Sequence, residues 1–257
     1  MATYREIPPS ARLRRYVECY WCQSEEDAAN HLVLPDGCVD ILFSRSGGEP
    51  IGLATVGLMT TSIRVPAAAA RSFFGVRFRP GMASSFLPGA QLLTDETRPL
   101  DDLAGSAARR MFERLAESDS LEKMAGVMDQ LLRPLDPPDI GERVLSQLES
   151  ADVSLDQVIS KSGLSVRHFR RLCLERAGVS PKYLSRILRF RKAAQRIGAI
   201  AGSGRQNLAQ PSWADFAVAC GYYDQAHFIR EFQEFAGCTP GRFLQSRRRD
   251  ERPVELH

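Results

Sequence analysis

One pattern occurs twice in the second half of this chain, and it dictates what that half can fold into. The first copy runs from Leu155 through Gly163, Ser165, His168-Phe169 and Leu172 to Gly178-Val179-Ser180-Pro181. The second runs from Trp213 through Gly221, Asp224, His227-Phe228 and Phe232 to Gly237-Cys238-Thr239-Pro240. Gly163 and Gly221 are 58 residues apart and His168 and His227 are 59 apart, so the second turn is one residue longer. Each copy reads as a short helix ended by a glycine that tolerates positive φ. A Ser or Asp then accepts from the free N–H groups that open a second, amphipathic helix. That is a helix-turn-helix, met twice.

The second helix of each copy has two faces. In the first copy Phe169, Leu172 and Cys173 share an inward stripe, while Arg167, Arg170 and Arg171 share the opposite one. Guanidinium groups on a capped helix suit a major groove, where they pair with guanine O6 and N7. In the second copy the outward set is Gln225, Ala226, His227 and Arg230, with Gln225 suited to an adenine edge. His168 is expected to pack or hydrogen-bond within its own module. Between the copies, Pro181 to Ile197 predicts a basic helix about 25 Å long. Such a strut could hold two reading helices in adjacent groove segments about 34 Å apart. Its Lys182, Arg186, Arg189 and Lys192, with the helix-opening Ser165 and Asp224, are candidate phosphate contacts.

Any surface helix has a solvated charged face, so an arginine stripe alone decides nothing. The repetition and the charge distribution decide it. Residues 1–138 carry 15 Lys+Arg against 18 Asp+Glu; residues 139–257 carry 19 against 13. Gly163 to Arg196 holds ten basic residues and one acid, Glu175. A segregated positive stripe is the footprint of a surface that meets a polyanion.

With those residues in place, region 139–245 resembles the C-terminal DNA-binding domain of the AraC/XylS family of bacterial transcription regulators. The segment Ala219-Cys220-Gly221-Tyr222-Tyr223-Asp224-Gln225-Ala226-His227-Phe228-Ile229-Arg230-Glu231-Phe232, followed by Gly237-Cys238-Thr239-Pro240, is similar to the signature of that family's second helix-turn-helix. The resemblance implies base contacts from Arg167, Arg170 and Arg171 and from Gln225, His227 and Arg230. It also implies double-stranded promoter DNA and RNA polymerase as partners. Gly198 to Pro211 is longer than the family's usual connector and reads as a loop.

Arg133-Pro134-Leu135-Asp136-Pro137-Pro138-Asp139 is the linker candidate, since three prolines in five residues cannot continue a helix. The expected division is residues 1–138 and 139–257, with helix-turn-helix modules at about 155–178 and 212–237 and a linker helix at about 181–197. Before residue 100, short apolar runs are broken by Gly and Pro. His31–Leu34 and Cys38–Phe43 read as a hairpin around Pro35-Asp36-Gly37, with further strands at Ile51–Met59 and Ser72–Arg79. Helices follow at about 101–116 and 119–133. The fold class is α+β: an N-terminal β-rich, cupin-like barrel with appended helices, then an all-α domain. By family analogy the first domain senses a small-molecule effector. Its helices either pair with a second subunit, making a homodimer, or cover the barrel. Arg77 and Arg79 share a strand face and either hold an anionic effector or are simply solvated.

Other functions are poorly supported. Residues 1–138 contain a single histidine, His31, so a His/carboxylate metal site is not expected, nor any cofactor. No phosphate loop, dinucleotide fingerprint or nucleophile elbow occurs. The rival is a thiol-based sensor or alkyl acceptor using Cys19, Cys22 or Cys38 with the same DNA-binding half. In a strand, however, Cys19 and Cys22 point to opposite faces, and free cysteines usually behave as small buried apolar groups. No apolar run reaches the roughly 20 residues a membrane helix needs, and no secretory leader is read at Met1–Glu6. A non-enzymatic, cytoplasmic DNA-binding protein is expected.

Overall fold

The computed structural model describes residues 3–25, 31–65, 71–135, 139–149, 154–202 and 212–249. Its first part is built on eight strands: β1 (Thr3–Ile7), β2 (Val17–Glu25), β3 (His31–Val33), β4 (Val39–Ser46), β5 (Glu49–Val56), β6 (Ile63–Val65), β7 (Arg71–Phe78) and β8 (Thr97–Pro99). Helices α1 (Asp101–Ala104), α2 (Ser106–Ala116) and α3 (Leu121–Leu131) follow. Six strands form one antiparallel sheet in the order β1-β2-β7-β4-β5-β8, and β3 pairs with β6 in a separate ribbon. This is the expected α+β plan, β-rich first and helical second.

Period-two alternation gives the large sheet two different faces. Tyr20, Ile41, Phe43, Phe74, Val76 and Phe78 point one way and are buried. Against that face pack α2 and α3: Phe112 meets Phe43 edge-on at 5.8 Å, and Tyr20 Oη donates to Asp129 at 2.8 Å. Met111, Leu115 and Met128 are buried within the chain. The apolar stripes of α2 and α3 therefore cover the sheet, the second of the two alternatives. The outer faces of these helices are polar.

One expectation is corrected. His31–Leu34 and Cys38–Phe43 do not form a hairpin, because β3 pairs with β6 while β4 pairs with β5 and β7. Asp36 Oδ1 accepts from Cys38 N–H at 2.8 Å. That local turn sends the chain from the ribbon into the large sheet rather than back along β3. Strands β5 and β7 begin slightly earlier than expected, and each ends before the expected residue.

The helical part comprises α4 (Ile140–Glu149), α5 (Leu155–Ser162), α6 (Val166–Ala177), α7 (Pro181–Gly202), α8 (Trp213–Ala219), α9 (Gln225–Ala236) and α10 (Pro240–Arg249). Helix α7 runs five residues past the expected end. Its 22 residues correspond to about 33 Å at 1.5 Å per residue. Gly198 to Gly202, read as the start of a loop, is helical; the rest of that loop, like Asp136 to Pro138 of the linker, lies outside the described residues. None of the described helices is long and apolar enough to cross a membrane.

The two parts share one continuous apolar cluster. Arg191 of α7 is buried against the first part, ion-paired with Glu18 and with Nη1 3.6 Å from Cys38 Sγ. Arg79 Nη1 bonds Glu149 Oε1 at 2.7 Å, and Arg176 Nη1 donates to Ser85 Oγ at 3.0 Å. Gly178, which ends α6 at φ 74°, lies so close to the first part that a Cβ there would sit 2.0 Å from Gln91 O. Only glycine fits.

Candidate nucleic-acid interface

Each reading helix is opened by the cap its sequence predicts. Ser165 accepts from His168 N–H at 3.3 Å, and Asp224 Oδ1 accepts from His227 N–H at 2.7 Å. Gly163 and Gly221 have φ 68° and 80°. The preceding helix α5 starts with a reciprocal capping box between Ser154 and Gln157. Caps and glycines together force the sharp turn that stands the second helix away from the first.

Packing then sets which face looks outward. In α6, Phe169, Leu172 and Cys173 are buried, while Arg167, Arg170 and Arg171 are exposed. His168 is also exposed, which corrects the first of its two expected roles, packing within its module. It lies about 100° round the helix from Phe169, off the buried stripe. In α9, Phe228 is fully buried among Trp213, Phe216, Tyr222 and Phe232, with ring centroids 5.1–5.9 Å away. Gln225 and Arg230 are exposed, and His227 is half-buried against Tyr222 at 5.4 Å.

The strut helix divides its cations between tasks. Lys182 is exposed. Arg186 Nε bonds Glu231 Oε2 at 2.8 Å, and Arg189 Nη2 bonds Glu231 Oε1 at 2.9 Å. Arg189 also lies over the Tyr222 ring at 4.6 Å. Arg186 and Arg189 thus hold α9 to α7. Lys192 lies beside them in the cleft between the modules. The Asp224 carboxylate would repel a phosphate; its observed task is the cap.

Sequence reading passed over Glu231. It is 3% exposed and receives both arginines, with His227 Nε2 at 3.7 Å. Its signal was an acid one helical turn after His227, on a helix facing a basic neighbour. Val166 and Tyr223 were also passed over. They are 68% and 89% exposed at the openings of α6 and α9, where apolar groups can meet a thymine methyl.

The residues singled out in the first part separate in space. Arg77, expected on a solvated or effector-holding face, is 4% exposed, with Asp36, Asp40 and Glu6 at 3.5–3.7 Å. Arg79 lies beyond β7, on Glu149 and the Arg14 carbonyl. They share no site. Cys19 and Cys38 are buried and Cys22 half-buried. Burial pushes all three thiols above their ordinary range. No cluster of three or more His, Cys, Asp and Glu side chains suited to a metal occurs among the described residues.

Two capped helix pairs with polar reading faces outward, braced by one long helix, define the class of tandem helix-turn-helix DNA-binding domains. The family comparisons agree. Residues 158–246 match the profile of a helix-turn-helix domain, and residues 5–98 match a domain of unknown function, DUF6597. The C-terminal part carries a helix-turn-helix domain of AraC type, preceded by that separate N-terminal domain. No curated protein matches the chain. Among solved structures, an apo variant of ToxT from Vibrio cholerae is similar at 11% identity and TM-score 0.44, over 88% of this chain and 96% of that one. A second ToxT structure from Vibrio cholerae gives 10% identity and TM-score 0.42, over 95% and 96%.

Proposed function

We propose that this protein is a sequence-specific DNA-binding transcription regulator whose two reading helices enter successive major grooves on one side of promoter DNA. Arg167, Arg170 and Arg171 on α6 and Gln225, His227 and Arg230 on α9 would contact bases. Lys182, with Ser165, Lys192 and the outer parts of Arg186 and Arg189, would meet phosphates. The observation that carries this reading is the exposure of both polar helix faces while their apolar faces are buried against a common strut. The strut's length, about 33 Å, is close to one duplex turn of about 34 Å.

In this reading the N-terminal domain answers a small-molecule effector, the protein acts in the cytoplasm on RNA polymerase at promoters, and a dimer would form through surfaces other than the apolar stripes of α2 and α3. Selection of genomic fragments with the full chain tests it. Enrichment of a few promoter fragments sharing two half-sites one turn apart is the expected result. Equal retention of scrambled and genomic fragments would sink it.

A further inference from the structure

Between the large sheet and the β3–β6 ribbon lies a cavity of about 240 Å³. Its walls are mainly apolar, with Leu42, Val56 and Phe73 from the sheet facing Val33, Ile63 and Val65 from the ribbon, and Gln23 and Thr97 as polar members of the lining. An apolar cavity of about 150 Å³ accommodates benzene, so this one has room for roughly ten non-hydrogen atoms. Arg77 reaches the cavity, but its charge is already matched from behind. Asp36 Oδ2 and Asp40 Oδ2 lie 3.6 and 3.7 Å from its Nε. Both acids are buried, and Asp40 also accepts from Trp21 Nε1 at 3.0 Å. The remaining cation is Arg71, exposed at the rim.

An ionised carboxylate entering such walls would lose its hydration to face an Arg77 already matched by acids, with Arg71 held out in water at the rim, and an ammonium would meet both guanidinium groups. A neutral oxygen loses far less and can still accept from a guanidinium. We propose that this cavity binds an uncharged, mainly apolar molecule carrying one oxygen acceptor, and that its occupancy is sensed by α7 and α9. This rests on the reading of the chain as an effector-responsive regulator.

The sensing route is short. Met59 and Ile63 line the cavity. Between them, Thr60 O accepts from Tyr183 Oη of α7 at 3.4 Å, and Ser62 N–H donates to Phe235 O of α9 at 3.0 Å. On the opposite side Asp36 holds Arg77, while the next residue, Gly37, would place a Cβ 3.3 Å from Leu184 of α7. A cavity wall that moves to accept a guest carries these contacts with it.

Three probes with the same ring test the idea on the full chain at neutral pH: 1-naphthol, 1-naphthoate and 1-naphthylmethylammonium, followed by calorimetry. The expected result is one naphthol bound, about tenfold or more tighter than either ion, because only the ions must shed a charged hydration shell. Val65→Phe and Leu42→Phe, which fill the cavity from opposite walls, should each abolish that binding while retaining a cooperative melt. Amide exchange at Ser62 and along 231–237 should change when naphthol binds. Naphthoate binding as tightly as naphthol, no naphthol binding, or undiminished binding in both folded variants would overturn the ligand assignment. Naphthol binding with unchanged exchange at Ser62 would overturn the route to α9. None of these measurements contains DNA, so failure of the DNA-binding reading is recognised separately.

Discussion

Arg189 of the strut helix and Glu231 of the second reading helix form a two-point contact: Nη2 lies 2.9 Å from Oε1 and 3.0 Å from Oε2, with Nε 3.2 Å from Oε1. Arg186 adds a third donor at 2.8 Å. One buried acid therefore sets how α9 leans on α7. Glu231→Ala strands the Arg189 guanidinium, which keeps a quarter of its side-chain surface in water, and leaves Arg186 with Glu234 alone at 2.5 Å. The expected loss is about 2 kcal/mol, below the 3–5 kcal/mol typical when a fully buried pair is broken. A urea titration measures it, and a parallel fall in specific DNA affinity tests the orienting role; an unchanged midpoint would remove Glu231 from this account.

Arg170 projects from α6 without a folding role, since its side chain is exposed. Arg170→Ala should leave the melting temperature in place and weaken specific binding by about 1–3 kcal/mol, relaxing selectivity at one base pair. Repeating the fragment selection with the variant reads this directly. Equal losses on specific and random DNA would assign the side chain to phosphate.

Cations on the strut should differ in their salt dependence. Lys182 is exposed, so Lys182→Ala should lower the slope of log affinity against log salt by about one. Arg189 is committed to Glu231, so Arg189→Ala should change stability more than slope. Binding isotherms across a salt series separate the two, and a reversed order would make Arg189 the principal phosphate contact and its Glu231 pair secondary.

Asp139 ties the start of α4 to α6 through Glu142 N–H at 3.0 Å and the Arg176 guanidinium. Partial burial raises its pKa, but the Glu142 and Gly141 amides and Arg176 outweigh it and hold the carboxyl below its ordinary value. A depressed native pKa contributes stability that is present above the unfolded value, about 3.9, and lost as pH falls through the native one. Asp139→Asn should remove that part of the acid dependence. Denaturation midpoints from pH 5 downward would show a shallower fall in the variant; parallel curves would contradict the assignment.

The cysteines should react in an order set by burial. Cys22 and Cys238 are half-buried, whereas Cys19, Cys38, Cys173 and Cys220 are buried. Burial alone pushes the Cys173 thiol up to about 12, leaving little thiolate at neutral pH. Iodoacetamide on the native chain, followed by peptide mass spectrometry, should mark Cys22 and Cys238 first. Rapid, selective labelling of Cys38 would revive the thiol-sensor alternative.

Sequence alone determined the helical half in some detail, because its information is local. Gly163, Ser165 and the Phe169–Leu172–Cys173 stripe specify turn, cap and face within about three helical turns, and the second copy repeats the statement. Those short-range signals sufficed to predict which arginines of α6 face outward. Tertiary structure decided what depends on distant partners. Pairing of β3 with β6, burial of Arg77 among acids from three segments and engagement of Arg186 and Arg189 by Glu231 each join residues far apart in the chain. A charged side chain carries no local mark of whether water or a remote counter-charge will meet it. For the same reason the strut's cations look alike in sequence, and only packing separates Arg186 and Arg189, which brace the modules, from Lys182, which stays exposed.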